Sequence, residues 1–193
     1  MSVLAAAALT ALAVPARAAS EDEAVMARKS KLTIPAAIRI ALGKVPGRVC
    51  WASRENADGK LWCLVQVVQA DRTSRIVTLD ARTGKVAKAE PQVNKPPKKG
   101  DKKKPADDAP PPVVGTISLN GRTPAEFPYL AEVSLDEAIA AANATYPGWI
   151  TEVYLYASGG TLLYGIEIAG KAGGITLVQL DAGNGAILGT LKM

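Results

Sequence analysis

The chain has 193 residues, a formal net charge of +5 and no histidine. Without histidine, the sequence lacks the usual general base, the Ser-His and Cys-His dyads of hydrolases and the commonest metal ligand. Two cysteines are too few for a zinc site of four ligands, and no group of Asp and Glu residues has metal-binding spacing. We therefore expect a protein that is not an enzyme and holds neither a metal nor another cofactor.

Residues 1–18 are predicted to be a signal peptide. The apolar run at residues 3–14 is too short to cross a bilayer, and Ala16-Arg17-Ala18 matches an A-x-A cleavage site, although no Lys or Arg precedes the run. A buried helix is the alternative for an apolar run of this length. Since no later segment is predicted to span a membrane, the mature protein is expected to be periplasmic or secreted.

Two segments, residues 33–86 and 134–187, repeat each other at an offset of 101 positions without a gap. Each begins with apolar residues at helical spacing, reaches Pro-Gly, and continues with four strand-like runs separated by turn residues. A period this long indicates a small domain rather than a solenoid repeat. The predicted fold class is α+β: two repeats, residues 19–90 and 114–193, each with one helix packed on a small antiparallel β-sheet, helix first and β-meander after.

Residues 91–113, between the two repeats, are predicted to be a linker rich in Pro and Lys. Six lysines and three aspartates accompany almost no apolar residue, a composition typical of an extended or disordered spacer. The segment lacks the aromatic residues that stack on bases, so we do not expect nucleic-acid binding. Its lysines instead suggest electrostatic contact with anionic surfaces of the cell envelope.

A disulfide is predicted within the first repeat. A hairpin centred between Asn56 and Ala57 sets Cys50 directly opposite Cys63 on the face beneath the helix, within bonding distance. An oxidising compartment favours the bond, and the spacing is unlike the C-x-x-C of thiol oxidoreductases.

The same alternation places aromatic side chains on the opposite face of each predicted sheet. These candidates for contact with a partner are Trp51 and Trp62 in the first repeat and Tyr154, Tyr156 and Leu163 in the second. They are cross-strand stabilisers, or buried between two sheets, or a patch that binds a protein partner, because aromatics favour all three settings. Capture of an extended peptide by an edge strand is a further binding mode.

The end of each repeat suggests a known family. Residues 76–86 read IVTLDARTGKV, and this motif after a capped helix and a hairpin resembles the last hairpin of the PepSY domain; the second copy has Asn184 and Ala186 where Thr and Lys are usual. The resemblance implies the PepSY fold, without catalytic residues, and modulation or inhibition of an extracytoplasmic peptidase, because PepSY domains occur in propeptides of thermolysin-like peptidases. An envelope-associated structural or scaffold protein is the alternative.

Overall fold

A computed structural model describes residues 30–57, 59–92, 113–171 and 173–193, together with residue 25. The predicted signal peptide lies outside the described residues, as does the predicted linker apart from residues 91, 92 and 113. In the part of the chain that the structure describes, no helix is long and apolar enough to cross a membrane.

All the strands of the described residues belong to one sheet. In chain order, the elements are α1 (Ile34–Lys44), β1 (Arg48–Ala57), β2 (Lys60–Val68), β3 (Ser74–Asp80), β4 (Val86–Pro91), α2 (Phe127–Leu130), α3 (Leu135–Thr145), β5 (Trp149–Ser158), β6 (Thr161–Ala169), β7 (Ile175–Asp181) and β8 (Ile187–Lys192). The eight strands are antiparallel and run in the order β4-β3-β2-β1-β5-β6-β7-β8. The predicted α+β class with antiparallel pairing is confirmed.

Side-chain caps start the two long helices. Thr33 accepts a hydrogen bond from the backbone N–H of Ala36 at the start of α1, at 3.3 Å, and a proline occupies the first turn. At α3, Ser134 and Glu137 form a complete capping box, in which each side chain accepts from the backbone N–H of the other residue. These caps satisfy donors that a helix leaves unpaired at its N-terminus, so the local sequence alone defines where each helix begins.

The helix ends depend on close backbone approach. A Cβ atom at Gly47 would lie 2.4 Å from the carbonyl oxygen of Val68, and one at Gly148 would lie 2.4 Å from that of Ala169. Only glycine therefore allows the chain to leave α1 and α3 and enter β1 and β5 beside the ends of β2 and β6.

The sheet is continuous through the middle of the chain, because β1 pairs with β5. Trp51 lies opposite Tyr154 in this pair, and Ala52 lies opposite Val153. Side chains from α1 and α3 belong to one hydrophobic cluster with Ala52, Val153 and other core residues of the sheet, so both helices cover the same face. We call the other side of the sheet, on which Trp51 and Tyr154 lie, the outer face.

The short helix α2 fastens the segment before α3 to the first half of the sheet. The Tyr129 hydroxyl donates a hydrogen bond to the carbonyl oxygen of Val68 at 3.0 Å. The guanidinium carbon of Arg72 lies 3.8 Å from the centre of the Tyr129 ring, and that of Arg48 lies 5.3 Å from it. Arg48 also donates to the carbonyl oxygen of Pro128 at 3.0 Å. Cation–π contacts and hydrogen bonds therefore hold the two halves together beyond the β1–β5 pair.

The register of the first hairpin differs from the prediction. Ala57 pairs with Lys60, so residues 58 and 59 connect the strands, and Gly59 has a φ of +72°. A two-residue Asp-Gly connection matches the twist of the flanking strands and is favoured over a turn centred two residues earlier. As a result, Cys63 lies opposite Arg54, and Trp62 lies opposite Glu55.

The predicted pairing of Cys50 with Cys63 is therefore wrong, and both thiols are free and buried. Cys50 occupies a β-bulge between Val49 and Trp51, whereas Cys63 lies in the core cluster beneath the helices. Four residues of strand separate Cys50 from Arg54, the residue opposite Cys63, a distance of about 13 Å at the rise of a β-strand. Disulfides need Cα atoms within about 7 Å, so these two cysteines cannot bond in this register.

Candidate functional site

The five predicted contact residues all lie on the outer face, but they differ in exposure. Trp51, Trp62 and Tyr156 are half-buried. Tyr154 is 8% exposed and Leu163 is fully buried. Trp51 does not face Trp62 across the hairpin, as the predicted register required; it faces Gln66 on β2 and Tyr154 on β5. The structure therefore gathers the aromatic residues around the β1–β5 junction instead of pairing two tryptophans.

Polar contacts order the aromatic side chains at this junction. The Trp51 indole N–H donates to a carboxylate oxygen of Glu152 at 2.5 Å, across the β1–β5 pair. The rings of Tyr154 and Tyr156 have their centres 5.5 Å apart at an angle of 59°, a tilted arrangement that suits their quadrupoles. Gln179 donates to the Tyr156 hydroxyl at 2.5 Å. The centre of the outer face is thus a connected set of aromatic and polar side chains with restricted rotamers.

Tyr154 is the most constrained member of this set. Its ring lies over Gly165, where a Cβ atom would come within 2.4 Å of the ring, so the glycine provides the space that the tyrosine fills. The Tyr154 hydroxyl is buried and has no hydrogen-bond partner among the residues that the structure describes. Burial, followed by the nearby charges of Glu167 and Glu152, raises the pKa of Tyr154 far above its ordinary value. The Tyr154 phenol is therefore neutral, and its buried O–H group makes no hydrogen bond to the described residues.

Leu163 is buried because the segment before α3 crosses the outer face of the second half. A Cβ atom at Gly115 would lie 2.8 Å from the Leu163 side chain, so the chain passes directly over it. Asp181 fixes this segment: its carboxylate accepts from the backbone N–H and the hydroxyl of Thr116, both at 2.9 Å. Leu163 is thereby removed from the candidate contact residues. Asp181 can be recognised from the sequence as a turn residue. Its second role, holding Thr116 over the outer face, depends on the fold.

The half-buried aromatic residues of the outer face lie on β1 and β2 in the first half and at Tyr156 on β5. Trp62 is flanked on its two neighbouring strands by Glu55 and Asp80. The Lys60 ammonium group lies 5.7 Å from the centre of the Trp62 ring. Asp80 accepts hydrogen bonds from the backbone of Thr83 and Arg82, and these lower the pKa of its carboxyl. This region offers an aromatic surface bordered by fixed charges, a composition typical of protein contacts.

The chemistry available to the cysteines is limited by burial. Desolvation raises the pKa of Cys50 to about 12, and burial also raises the pKa of Cys63. A thiol must ionise to act as a nucleophile or a metal ligand, so neither residue is suited to these roles. Within residues 30–57, 59–92, 113–171 and 173–193, no three His, Cys, Asp or Glu side chains are placed to hold a metal ion.

Comparison with known proteins identifies part of the chain. Residues 132–191 match the family model described as PepSY, "Peptidase propeptide and YPEB domain". This segment is similar to the PepSY domain. It begins just before α3 and reaches β8, so it comprises the long helix and the four strands of the second half.

Solved structures add weak similarities over most of the chain. A candidate lipoprotein from Clostridium difficile 630 has 19% sequence identity and a TM-score of 0.41, over 89% of this chain and 99% of the other. The YpmB protein from Bacillus subtilis has 16% identity and a TM-score of 0.33, over 82% and 96% of the two chains. No curated protein matches the sequence significantly.

Proposed function

We propose that this is an exported, non-catalytic binding protein that modulates an extracytoplasmic peptidase by occluding it. The observation that supports this best is the match of residues 132–191 to a family whose description names peptidase propeptides. A propeptide acts by covering its peptidase, which requires a shaped and stable surface and no reactive group. The buried, protonated thiols and the ordered outer face agree with such a role.

We further propose that residues 34–91 form a second PepSY-like unit. Each of α1 and β1–β4 recurs 101 positions later, with the same length, as α3 and β5–β8. The β1–β5 junction pairs Ala52 with Val153, two residues that are themselves 101 positions apart. A two-fold axis relating two copies would pass between such a pair, so the sheet register supports an internal duplication joined edge to edge.

The contact surface for the peptidase is proposed to be the accessible outer face around Trp51, Trp62 and Tyr156. These side chains are only half-buried, whereas Leu163, opposite Tyr156 on β6, is fully buried. Aromatic residues on rigid strands contribute large contact areas at little cost in conformational entropy, which is why they dominate binding hot spots.

A titration tests both the function and the surface. The purified protein is added to the extracytoplasmic peptidases of its source, and the cleavage rate of a fluorogenic substrate is measured. A saturable fall in rate is expected, and Trp62→Ala should weaken apparent affinity by about tenfold or more if Trp62 is a hot spot. Ile40→Ala is the matched control, because Ile40 is 37% exposed on α1, in the helical layer that covers the other face. No change in rate at excess protein would exclude modulation of those peptidases.

The second candidate function is an envelope-associated scaffold, favoured by the lysine-rich composition of residues 91–113. Six lysines on a Pro-rich segment would bind anionic envelope surfaces electrostatically, without nucleic acid as a partner. Fractionation separates the two functions: a scaffold sediments with the envelope at low salt and is released as salt screens the attraction. A peptidase modulator of the secreted or periplasmic fraction remains in the supernatant at both salt concentrations.

A further inference from the structure

The two edges of the sheet are protected to different degrees. On β4, Lys88 and Glu90 form an ion pair at 2.8 Å, and the strand ends at Pro91. On β8, the equivalent positions 101 residues later are Gly189, Leu191 and Lys192. Charges and proline are the usual devices that prevent an edge strand from pairing with another strand. The edge at β4 has both devices, whereas β8 keeps one lysine and no proline.

Among the described residues, no strand pairs with the outer edge of β8. Met193 donates to the carbonyl oxygen of Ile175 at 2.9 Å, toward β7. Because direction alternates along a strand, the N–H and C=O groups of Thr190 and Lys192 point away from the sheet. On β4, the backbone N–H of Gln92 donates to the carbonyl oxygen of Ser74, toward β3. By the same alternation, Pro91 occupies an outward position. Proline there removes an edge donor without removing a bond of the ladder.

Apolar side chains accompany these outward groups. Ile187, Leu188 and Leu191 are 37%, 37% and 44% exposed, and they are among the most exposed large apolar residues of the described chain. A row of unpaired backbone groups beside exposed leucines is the arrangement that natural proteins avoid unless the strand has a partner.

We propose that β8 pairs with β8 of a second copy of this chain, antiparallel and about a two-fold axis. The chain already contains this kind of contact, because β1 and β5 join its two halves edge to edge and antiparallel. A self-complementary register places Thr190 opposite Thr190 of the second copy and Leu191 opposite Gly189. The leucine then covers a residue without a side chain, Thr faces Thr, and no like charges are opposed. The result is a sixteen-stranded sheet with a β4 edge at each end.

The expected dimer is weak. One pair of six-residue strands buries less surface than a standard interface, so we expect a Kd on the order of 1–100 µM. Dimerisation does not depend on the proposed peptidase role and can be measured without knowing the peptidase.

Sedimentation velocity of the purified full-length chain, from about 1 µM to about 500 µM, measures the association directly. The wild type is expected to pass from monomer to dimer across this range. Lys192→Pro gives β8 the proline that β4 has at Pro91, and Leu191→Glu gives it the charge of Glu90. Each variant should weaken association at least tenfold, with circular dichroism and melting temperature close to those of the wild type.

Ala89→Pro is the matched control, because Ala89 is the outward residue of β4 equivalent to Thr190. It should associate as the wild type does. A wild type that stays monomeric at the highest concentration would overturn the proposal. A dimer that persists in both folded β8 variants, or one that Ala89→Pro disrupts, would overturn it as well, because association would then use another surface.

Discussion

Two buried tyrosines provide a direct test of the polar structure of the outer face, because the same substitution should have opposite effects on them. Tyr154 has a buried hydroxyl that finds no hydrogen-bond partner in the described part of the chain. Tyr164, 2% exposed on the helical side of the sheet, donates its hydroxyl to the carbonyl oxygen of Val133 at 2.8 Å. Replacement by phenylalanine removes one oxygen at each site and leaves the ring and its packing in place.

The magnitudes follow from the cost of an unpaired buried group. Tyr154→Phe recovers the desolvation penalty of its hydroxyl and should stabilise the protein by about 1–3 kcal/mol. Tyr164→Phe loses a hydrogen bond and should destabilise the protein by about 0.5–1.5 kcal/mol. With a urea m-value of about 2 kcal/mol/M, the unfolding midpoints should move by about +0.5 to +1.5 M and about −0.3 to −0.8 M.

Urea unfolding followed by tryptophan fluorescence and circular dichroism measures both shifts, and coincident transitions check that unfolding is two-state. The essential quantity is the sign at Tyr154. If Tyr154→Phe lowers the midpoint as much as Tyr164→Phe does, the hydroxyl has a partner in solution and the reasoning about the junction is refuted.

Three further predictions concern other parts of the fold. Cys50 and Cys63 should both react with a thiol reagent after denaturation without reductant, and neither should react quickly in the native protein. If neither reacts after denaturation, the two residues form a disulfide, which would contradict the observed register. Arg72→Gly should leave the free energy of unfolding of the wild type nearly unchanged, because relief of a φ of +67° offsets loss of the cation–π contact with Tyr129. In a Tyr129→Leu background that contact is already absent, so the same substitution should stabilise the protein by about 1 kcal/mol in urea unfolding. Burial raises the pKa of Tyr164 to about 12, above the ordinary tyrosine value of about 10. Stability should therefore be intact below pH 10 and fall between about pH 10 and 12, where the unfolded chain ionises first. Melting temperatures independent of pH in this range would contradict the burial of Tyr164.

Local features were predictable from the sequence because their causes lie within a few residues. The cap at Thr33 and the capping box at Ser134 and Glu137 are side chains that bond to the backbone within one helical turn. Alternation along β2 correctly placed Cys63 toward the core, since side-chain period on a strand is fixed by the backbone. Residues 132–191 also match the PepSY family, to which the sequence motif pointed.

The register of the first hairpin was not predicted, although its turn residues were. A stretch with Asn56 and Gly59 offers several turns, and a shift of the centre by two residues keeps every side chain on its face. The apolar pattern therefore cannot distinguish the registers. The bulge at Cys50 then kept that residue buried but outside the core cluster, and a bulge depends on pairing with another strand.

By itself, the sequence determined that the chain is α+β, where its helices begin, which strand residues face the core, and that it lacks histidine chemistry. Only the tertiary structure decided that the sheet is continuous through β1 and β5, that Leu163 is covered by the segment at Gly115, and that the Tyr154 hydroxyl is buried away from any partner among the described residues. The difference has one physical origin. Caps, turns and alternation are set by neighbours along the chain, whereas burial and the order of strands depend on segments that are distant in sequence, such as β1 and β5 or Gly115 and Leu163.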